Sequence, residues 1–474
     1  MNTAISFRNP GPLFAAIVLG FSAFLVFFAG SAQGDIHNFD SLMLSTVARN
    51  VLDTGDWWTL YYPDRHTPWF DHPPLGIWGI SAGFILFGVT TIGARLFSAA
   101  CGFATTIIVG AIGWKLRGPW TGFLSGVALL ATPYFVKHAR RPRLDAPLAL
   151  FIAAAVLGLL LSDKRRVGWV LFGLSTGLAI LTKGIVGLAP LGIAPVALWW
   201  MGRWRWKSAG FWGGCLLAIA VPIPWLLLHS SSQGSAGVEP YFVDRIWGAI
   251  LGAWPDPRGT FYYLWIGLFV GLPWFPVALY SLARLGVRRW REGPGDEIAV
   301  LVWALAILIP FSLVRHKHAY YMIPLLPPLA IATGMLLDGW LPLRFKQGLA
   351  QWLGIASLGA ALALLIFPIP LQREKMQDLR GLSDLIRSTT SEGEVVHIYM
   401  MPPMRTEAAL AFYAGRRTGT KFADPEQLRA AVAEGQVRFL YARDGDWTEV
   451  SASMGEGEVI GRAEKSVFVR FGGE

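Results

Sequence analysis

Cysteine is almost absent from this chain. Only Cys101 and Cys215 occur in 474 residues, each inside an apolar stretch, so neither a disulfide framework nor a cysteine-based zinc site is available. Charge is scarce as well, at 15% of residues against 54% hydrophobic, with a mean hydropathy of +0.45. A chain this apolar cannot cover a single soluble globule with polar surface, and the composition indicates a polytopic membrane protein. No dense basic patch suits nucleic acid. No internal repeat or low-complexity segment stands out, which argues against a transporter built from inverted repeats.

What charge there is divides unevenly. Residues 372–474 hold 14 Lys/Arg and 16 Asp/Glu, whereas the first 371 residues carry 27 and 15. We therefore expect residues 1–371 to form an α-helical transmembrane domain, with a first outer loop at 34–75, and residues 372–474 a small soluble α/β domain. In the tail, helical patterns fall at Asp378–Ser388 and Pro425–Glu434, and strand-like ones at Glu394–Tyr399 and Gln436–Ala442.

Apolar runs begin with Gly11–Ala32, read as a retained helix rather than a cleaved leader. They recur near 94–113, 119–137, 145–162, 168–182, 184–201, 209–228, 260–283, 297–314, 319–339 and 347–370, giving about 11 spans. Pro73–Gly88 is short and opens on two prolines, so it is read as interfacial. With that parity Lys115/Arg117, Lys164/Arg165/Arg166, Arg203/Arg205/Lys207, Arg284/Arg288/Arg289/Arg291 and Arg344/Lys346 share the cytoplasmic side with the N-terminus. The tail is then periplasmic.

The outer face keeps a second set of ionisable residues against this bias. Lys183, Arg245 in Tyr241-Phe-Val-Asp-Arg-Ile-Trp247, and Arg315-His-Lys-His318 all fall there. Such residues suit an anionic ligand held at the membrane surface, and a phosphate fits. His316 and His318 belong to that set, as does Lys317. Two acids stand at outer span boundaries, Asp40 and Asp145; each is open to two readings, a helix N-cap or a member of a reactive site. Asp71 and His72, in Phe70-Asp-His-Pro-Pro-Leu-Gly-Ile-Trp78, are presented by a proline-fixed turn. His72 suits proton transfer, phosphate contact or metal ligation. The paired aromatics Trp57-Trp58, Tyr61-Tyr62 and Tyr262-Tyr263 suit either an interfacial belt or a ligand-lining role.

Asp40, Val47-Ala-Arg-Asn-Val-Leu-Asp-Thr-Gly-Asp-Trp57 and the Phe70–Trp78 motif resemble the first outer loop of the GT-C glycosyltransferases, in the aminoarabinose-transferase and protein-mannosyltransferase branch. Arg143-Leu-Asp-Ala-Pro147, Gly177-Leu-Ala-Ile-Leu-Thr-Lys-Gly184 and His318-Ala-Tyr-Tyr-Met-Ile-Pro-Leu-Leu-Pro-Pro328 resemble later motifs in the same order, so the resemblance covers residues 35–330. It implies transfer of a sugar from a polyprenyl-phosphate donor to a lipid, glycan or protein acceptor at the periplasmic face of a bacterial inner membrane. Asp40 would be the principal catalytic carboxylate and Asp145 its companion. Asp71, His72, Lys183, Arg245, Arg315, His316, Lys317 and His318 would bind donor or phosphate. Direct displacement with inversion is expected.

The chain also departs from that pattern. Ser41 follows Asp40 where related sequences carry Glu, Met43 stands where they carry Arg, and Asp71-His72 replace Glu-Lys. Aminoarabinose is therefore not carried over as the sugar. No cofactor is assigned; Asp40, Asp71 and His72 are the candidates should a divalent cation take part. The rival readings are a transporter or flippase for lipid-linked sugars and a non-catalytic assembly subunit.

Overall fold

A computed structural model describes residues 11–163, 165–203, 208–233, 258–367, 377–452, 454 and 457–472. Arg245, Lys164, Arg205 and Lys207 lie outside the described residues. The chain is mainly helical and divides into two compact units. The first comprises Met1–Ser31, Phe70–Gly79 and Arg95–Ile369, the second Ala32–Trp69, Ile80–Ala94 and Pro370–Glu474.

In order, α1 spans Pro12–Phe28, α2 Phe39–Thr54, α3 Leu75–Phe87, α4 Thr91–Arg117, α5 Pro119–Leu130, α6 Pro133–Ala139, α7 Asp145–Leu161, α8 Val167–Lys183, α9 Ala189–Trp200, α10 Ala209–Ala220 and α11 Ile223–Gln233. Later helices of the first unit are Tyr262–Val270, Phe275–Glu292, Ile298–Leu313, Leu326–Trp340 and Leu343–Ile366. Every expected apolar run contains helix, but several are interrupted. The run 119–137 is divided before Pro133, 209–228 near Pro222 and 260–283 near Pro273, because proline supplies no N–H for the ladder. Among the described residues, five helical stretches are long and apolar enough to cross a membrane: Thr91–Arg117, Val167–Trp200, Ala209–Ser230, Ala319–Trp340 and Leu343–Ile366. Five shorter apolar helices accompany them. With 13 residues, α3 is about 20 Å long, shorter than a bilayer's hydrocarbon core.

In the first unit, α7 and α8 form an antiparallel hairpin that depends on glycine. A β-carbon at Gly158 would lie 2.6 Å from the Phe172 nitrogen, and one at Gly168 would lie 2.5 Å from the Ser162 nitrogen. Small residues let membrane helices approach this closely. The hairpin returns the chain so that Lys183, at the end of α8, meets Asp145, at the start of α7. Gly184 then adopts φ +55° and breaks the helix into a 3-10 turn over Gly184–Leu188, a reversal glycine permits without a β-carbon penalty.

At the far end of α7, ion pairs gather. Arg203 bridges Asp163 (3.7 Å) and Asp296 (2.7 Å). Glu297 accepts from Arg117 at 3.3 Å and Arg288 at 2.8 Å, with Arg289 at 3.8 Å. At 1.5 Å per residue, the 17 residues of α7 hold this network about 25 Å from Asp145. Arg117 of α4 and Arg288 and Arg289 of the helix Phe275–Glu292 thus share one end.

In the second unit, a five-stranded sheet has the order β2-β1-β3-β5-β4. Its strands are β1 Val395–Tyr399, β2 Arg417–Phe422, β3 Phe439–Arg443, β4 Gly457–Arg462 and β5 Ser466–Phe471. β1 runs parallel to β2 and β3, while β5 is antiparallel to β3 and β4. Leu428, Leu440, Trp447 and Val469 are buried in its core. The first-loop segment packs within this unit. Buried Asp35 pairs with Arg380 at 3.2 Å, the Ile36 N–H donates to Tyr413 Oη at 2.9 Å, and Arg49 donates to the Phe412 carbonyl at 2.9 Å. Asp64 pairs with Arg417 at 2.9 Å.

Candidate functional site

Asp145 opens α7, yet it does not cap it. Leu144 occupies the N-cap position with no side-chain bond. The Asp145 carboxylate, 2% exposed, accepts from Lys183 Nζ at 2.5 Å and Arg143 Nε at 3.1 Å. Burying a carboxylate among apolar helices is costly unless cations answer it. Here two cations meet one carboxylate at the end of the hairpin.

Aromatic rings spread under those cations. The Arg143 guanidinium lies 4.7 Å above the Tyr320 ring, and Lys183 Nζ lies 5.2 Å from Tyr320 and 5.6 Å from Tyr321, within cation–π range. His318 stacks on Tyr320 at 4.7 Å with planes 12° apart, and its Nε2 is 2.9 Å from His316 Nε2. The Tyr263 hydroxyl holds the His318 backbone, donating to its carbonyl and accepting from its N–H, each at 3.2 Å. Lys317 is buried and donates to the Val314 carbonyl, whereas Arg315 is exposed. On the preceding segment, Arg140 donates to the carbonyls of Val26 and Ala29 at the end of α1, the arrangement expected of a cation at a helix C-terminus.

The structure therefore joins Asp145 and Lys183 with His318 and His316 into one connected group. It adds Tyr263, which the sequence offered as either a belt or a ligand-lining residue, and Arg143, Tyr320 and Tyr321, which sequence reasoning quoted within motifs and did not single out as site residues. Their signal was positional: Arg143 stands two residues before Asp145, and Tyr320 two after His318. Asp71 and His72 are half-buried in the turn before α3, next to Phe70. The Phe70 ring packs on Trp225 (5.3 Å) and His229 (4.7 Å). Arg245 is not among the described residues.

Asp40 belongs to the second unit. It lies half-buried in the first turn of α2, and the capping role belongs to its neighbour, since Asn38 Oδ1 accepts from the Ser41 N–H at 3.4 Å. Gly55 closes α2 in the left-handed conformation at φ +71°. Other acids of the loop fasten it. Partial burial opposes ionisation of Asp64, but the N–H groups of His66 and Thr67, the Thr67 hydroxyl and Arg417 outweigh it and hold the carboxyl below its ordinary range. Asp56, likewise opposed by burial, is held low by the N–H groups of Thr59 and Trp58. Among the described residues, no three His, Cys, Asp or Glu side chains converge as a group that could hold a metal ion.

Comparison with known proteins bears on this geometry. A solved structure of ArnT from Cupriavidus metallidurans bound to undecaprenyl phosphate superposes with TM-score 0.72 at 20% identity, covering 96% of this chain and 97% of that one. The fold is that of the GT-C glycosyltransferases. An archaeal oligosaccharyltransferase, AglB from Archaeoglobus fulgidus, matches at TM-score 0.58 and 13% identity over 91% of this chain and 69% of that one. Residues 71–228 match the family model described as dolichyl-phosphate-mannose-protein mannosyltransferase, a segment that holds Asp71, His72, Asp145 and Lys183. Among curated relatives, an undecaprenyl phosphate-alpha-4-amino-4-deoxy-L-arabinose arabinosyl transferase of Sodalis glossinidius is 27% identical over 302 residues, 62% of this chain and 53% of that protein. A transferase of the same description from Pseudomonas aeruginosa is 26% identical over 345 residues, 71% of this chain and 62% of that protein. The chain thus spans between half and two thirds of the length of these relatives.

Proposed function

We propose that this GT-C chain is an integral-membrane glycosyltransferase that moves a sugar from a polyprenyl-phosphate donor to a lipid, glycan or protein acceptor at the periplasmic face. The observation that carries the reading is the buried Asp145, held between Lys183 and Arg143 over two tyrosine rings. An acid already met by two cations is a poor proton acceptor. Asp145 is accordingly assigned the task of positioning Lys183 and Arg143, and those two cations the task of receiving a phosphate.

The chemistry follows from the donor. The acceptor oxygen attacks the sugar's C1 as the bond from C1 to the phosphate oxygen breaks, and the bonding electrons leave with the polyprenyl phosphate. That product gains a negative charge, so cations at its oxygen stabilise the transition state more than the intact donor. The acceptor's proton passes to Asp40, the carboxylate that the family motif selects and that the structure leaves outside the capping role. A single displacement inverts the anomeric centre. His316 and His318 flank the phosphate as hydrogen-bond donors, and Asp71 and His72 are assigned to the donor. The excess of Lys and Arg at the far end of α7 supports a cytoplasmic location for that end and a periplasmic one for Asp145 and the tail.

The test is release of polyprenyl phosphate from a panel of polyprenyl-phosphate sugars by purified protein in liposomes. Turnover with at least one donor and a product of inverted configuration is expected. Retained configuration would overturn the single displacement, and no turnover with any donor in the presence of crude envelope acceptors would overturn the enzyme.

A further inference from the structure

At the ion-paired end of the first unit, a cleft of about 130 Å³ opens between α4, the helix Phe275–Glu292 and the helix Leu326–Trp340. It is lined by Arg117, Arg284 and Arg288, with Ser281, Gly339 and Trp340 among the remaining walls, and no Asp or Glu belongs to its lining among the described residues. Arg117 and Arg288 share Glu297, and Arg117 also donates to the Met335 carbonyl at 3.2 Å. Ser281 donates to the Ala332 carbonyl at 2.6 Å and is committed there. Arg284, one turn before Arg288, makes no ion pair among the described residues.

Glu297 already answers Arg117 and Arg288, so Arg284 is the guanidinium that brings the added charge to this cavity, and arginine matches the oxygens of a phosphate ester in a planar fork. Room for that group exists. Gly339 has nothing within 4 Å of where its β-carbon would stand, so the absence of a side chain keeps the cleft open. The rim points to a lipid. Trp340 is 56% exposed and packs on exposed Tyr280 at 6.0 Å, and Leu343 and Val287 are exposed as well. Aromatic rings of this kind settle at headgroup depth, with apolar residues facing the acyl chains.

We propose that this cleft binds the phosphodiester of an anionic phospholipid from the leaflet at the far end of α7 from Asp145. It is a second anion site, separated from the Asp145 group by the length of that helix. Its phosphate is bound and not transferred, and it joins the ends of the three helices that line the cleft.

The experiment is native mass spectrometry of the full chain, released from nanodiscs of phosphatidylglycerol or of phosphatidylcholine, for wild type, Arg284→Gln and Gly339→Phe. The first variant removes a charge that supports no ion pair. The second fills the cleft and leaves every charge in place. Wild type is expected to retain phosphatidylglycerol selectively, and each variant to bind it roughly tenfold more weakly, the worth of one charged hydrogen bond. Undecaprenyl phosphate binding should be unchanged in both, which separates the cleft from the site at Asp145. Equal retention of the two lipids by wild type, or undiminished retention by both variants, would overturn the proposal. Inorganic phosphate alone protecting wild type but not Arg284→Gln from thermal unfolding, with no lipid selectivity, would show a free-phosphate site and overturn the lipid assignment.

Discussion

Asp145 illustrates how one residue constrains the rest of its site. Removing a single partner of a buried ion pair leaves the other charge unanswered, at a cost of about 3–5 kcal/mol. Asp145→Ala should therefore lower thermal stability markedly, because Lys183 and Arg143 lose their shared acceptor. Pairing Asp145→Asn with Lys183→Met should recover much of that stability while leaving sugar transfer lost, as measured by a melting curve beside a turnover assay. Recovery of both would make the pair purely structural. Much at this scale was legible in the sequence: Asp145 and Lys183 stood in recognisable motifs, and His316 and His318 stood in the basic run that the charge pattern marked. Their mutual geometry was not legible. The choice between N-cap and ion pair depends on Lys183, 38 residues away, and no local pattern reports it. For Asp40 the capping alternative was removed by Asn38, only two residues before it.

The α7–α8 hairpin is the element that turns those residues into a site. Gly158→Val should force α7 from α8, since even a β-carbon there meets backbone at 2.6 Å; overpacking of this kind typically costs about 1–3 kcal/mol. The expected result is a lowered melting temperature together with weaker donor binding, whereas Gly192→Ala, where nothing lies within 4 Å, should change neither. In the tail, His397 on β1 is buried and accepts from the Thr420 N–H at 3.0 Å. Burial lowers its pKa below the ordinary value, with a backbone bond at Gln436 opposing. The neutral ring is thus the folded form, and stability present above about pH 6.5 is lost as pH falls toward the folded value. His397→Gln should flatten that acid dependence in a denaturation series. The helices of this fold were readable from apolar runs, but the breaks at Pro133, Pro222 and Pro273 within three of those runs were not expected. Strands β1 and β3 were readable from apolar clusters, but β2, with exposed Arg417, Thr420 and Lys421, carries little apolar signal. β4 is similarly weak because Glu458 and Val459 are both exposed.

For the whole molecule, charge distribution sets orientation. Alkaline phosphatase fused after the tail should be active in intact cells, and a green fluorescent protein at the same position dark; the reverse would invert the assigned membrane sides. The packing of Ala32–Trp69 and Ile80–Ala94 with Pro370–Glu474 in one unit was beyond sequence reasoning, because pairs such as Asp35–Arg380 and Asp64–Arg417 join residues more than 300 positions apart. It gives the tail a defined role in holding the loop that bears Asp40. The most direct test of the central claim is the release of polyprenyl phosphate by wild type and Asp40→Asn, reconstituted in liposomes at matched thermal stability. The account predicts turnover by wild type and a loss of at least about a hundredfold in the variant, the contribution expected of a positioned general base. Equal turnover by the two proteins would remove Asp40 from the reaction and contradict the assignment.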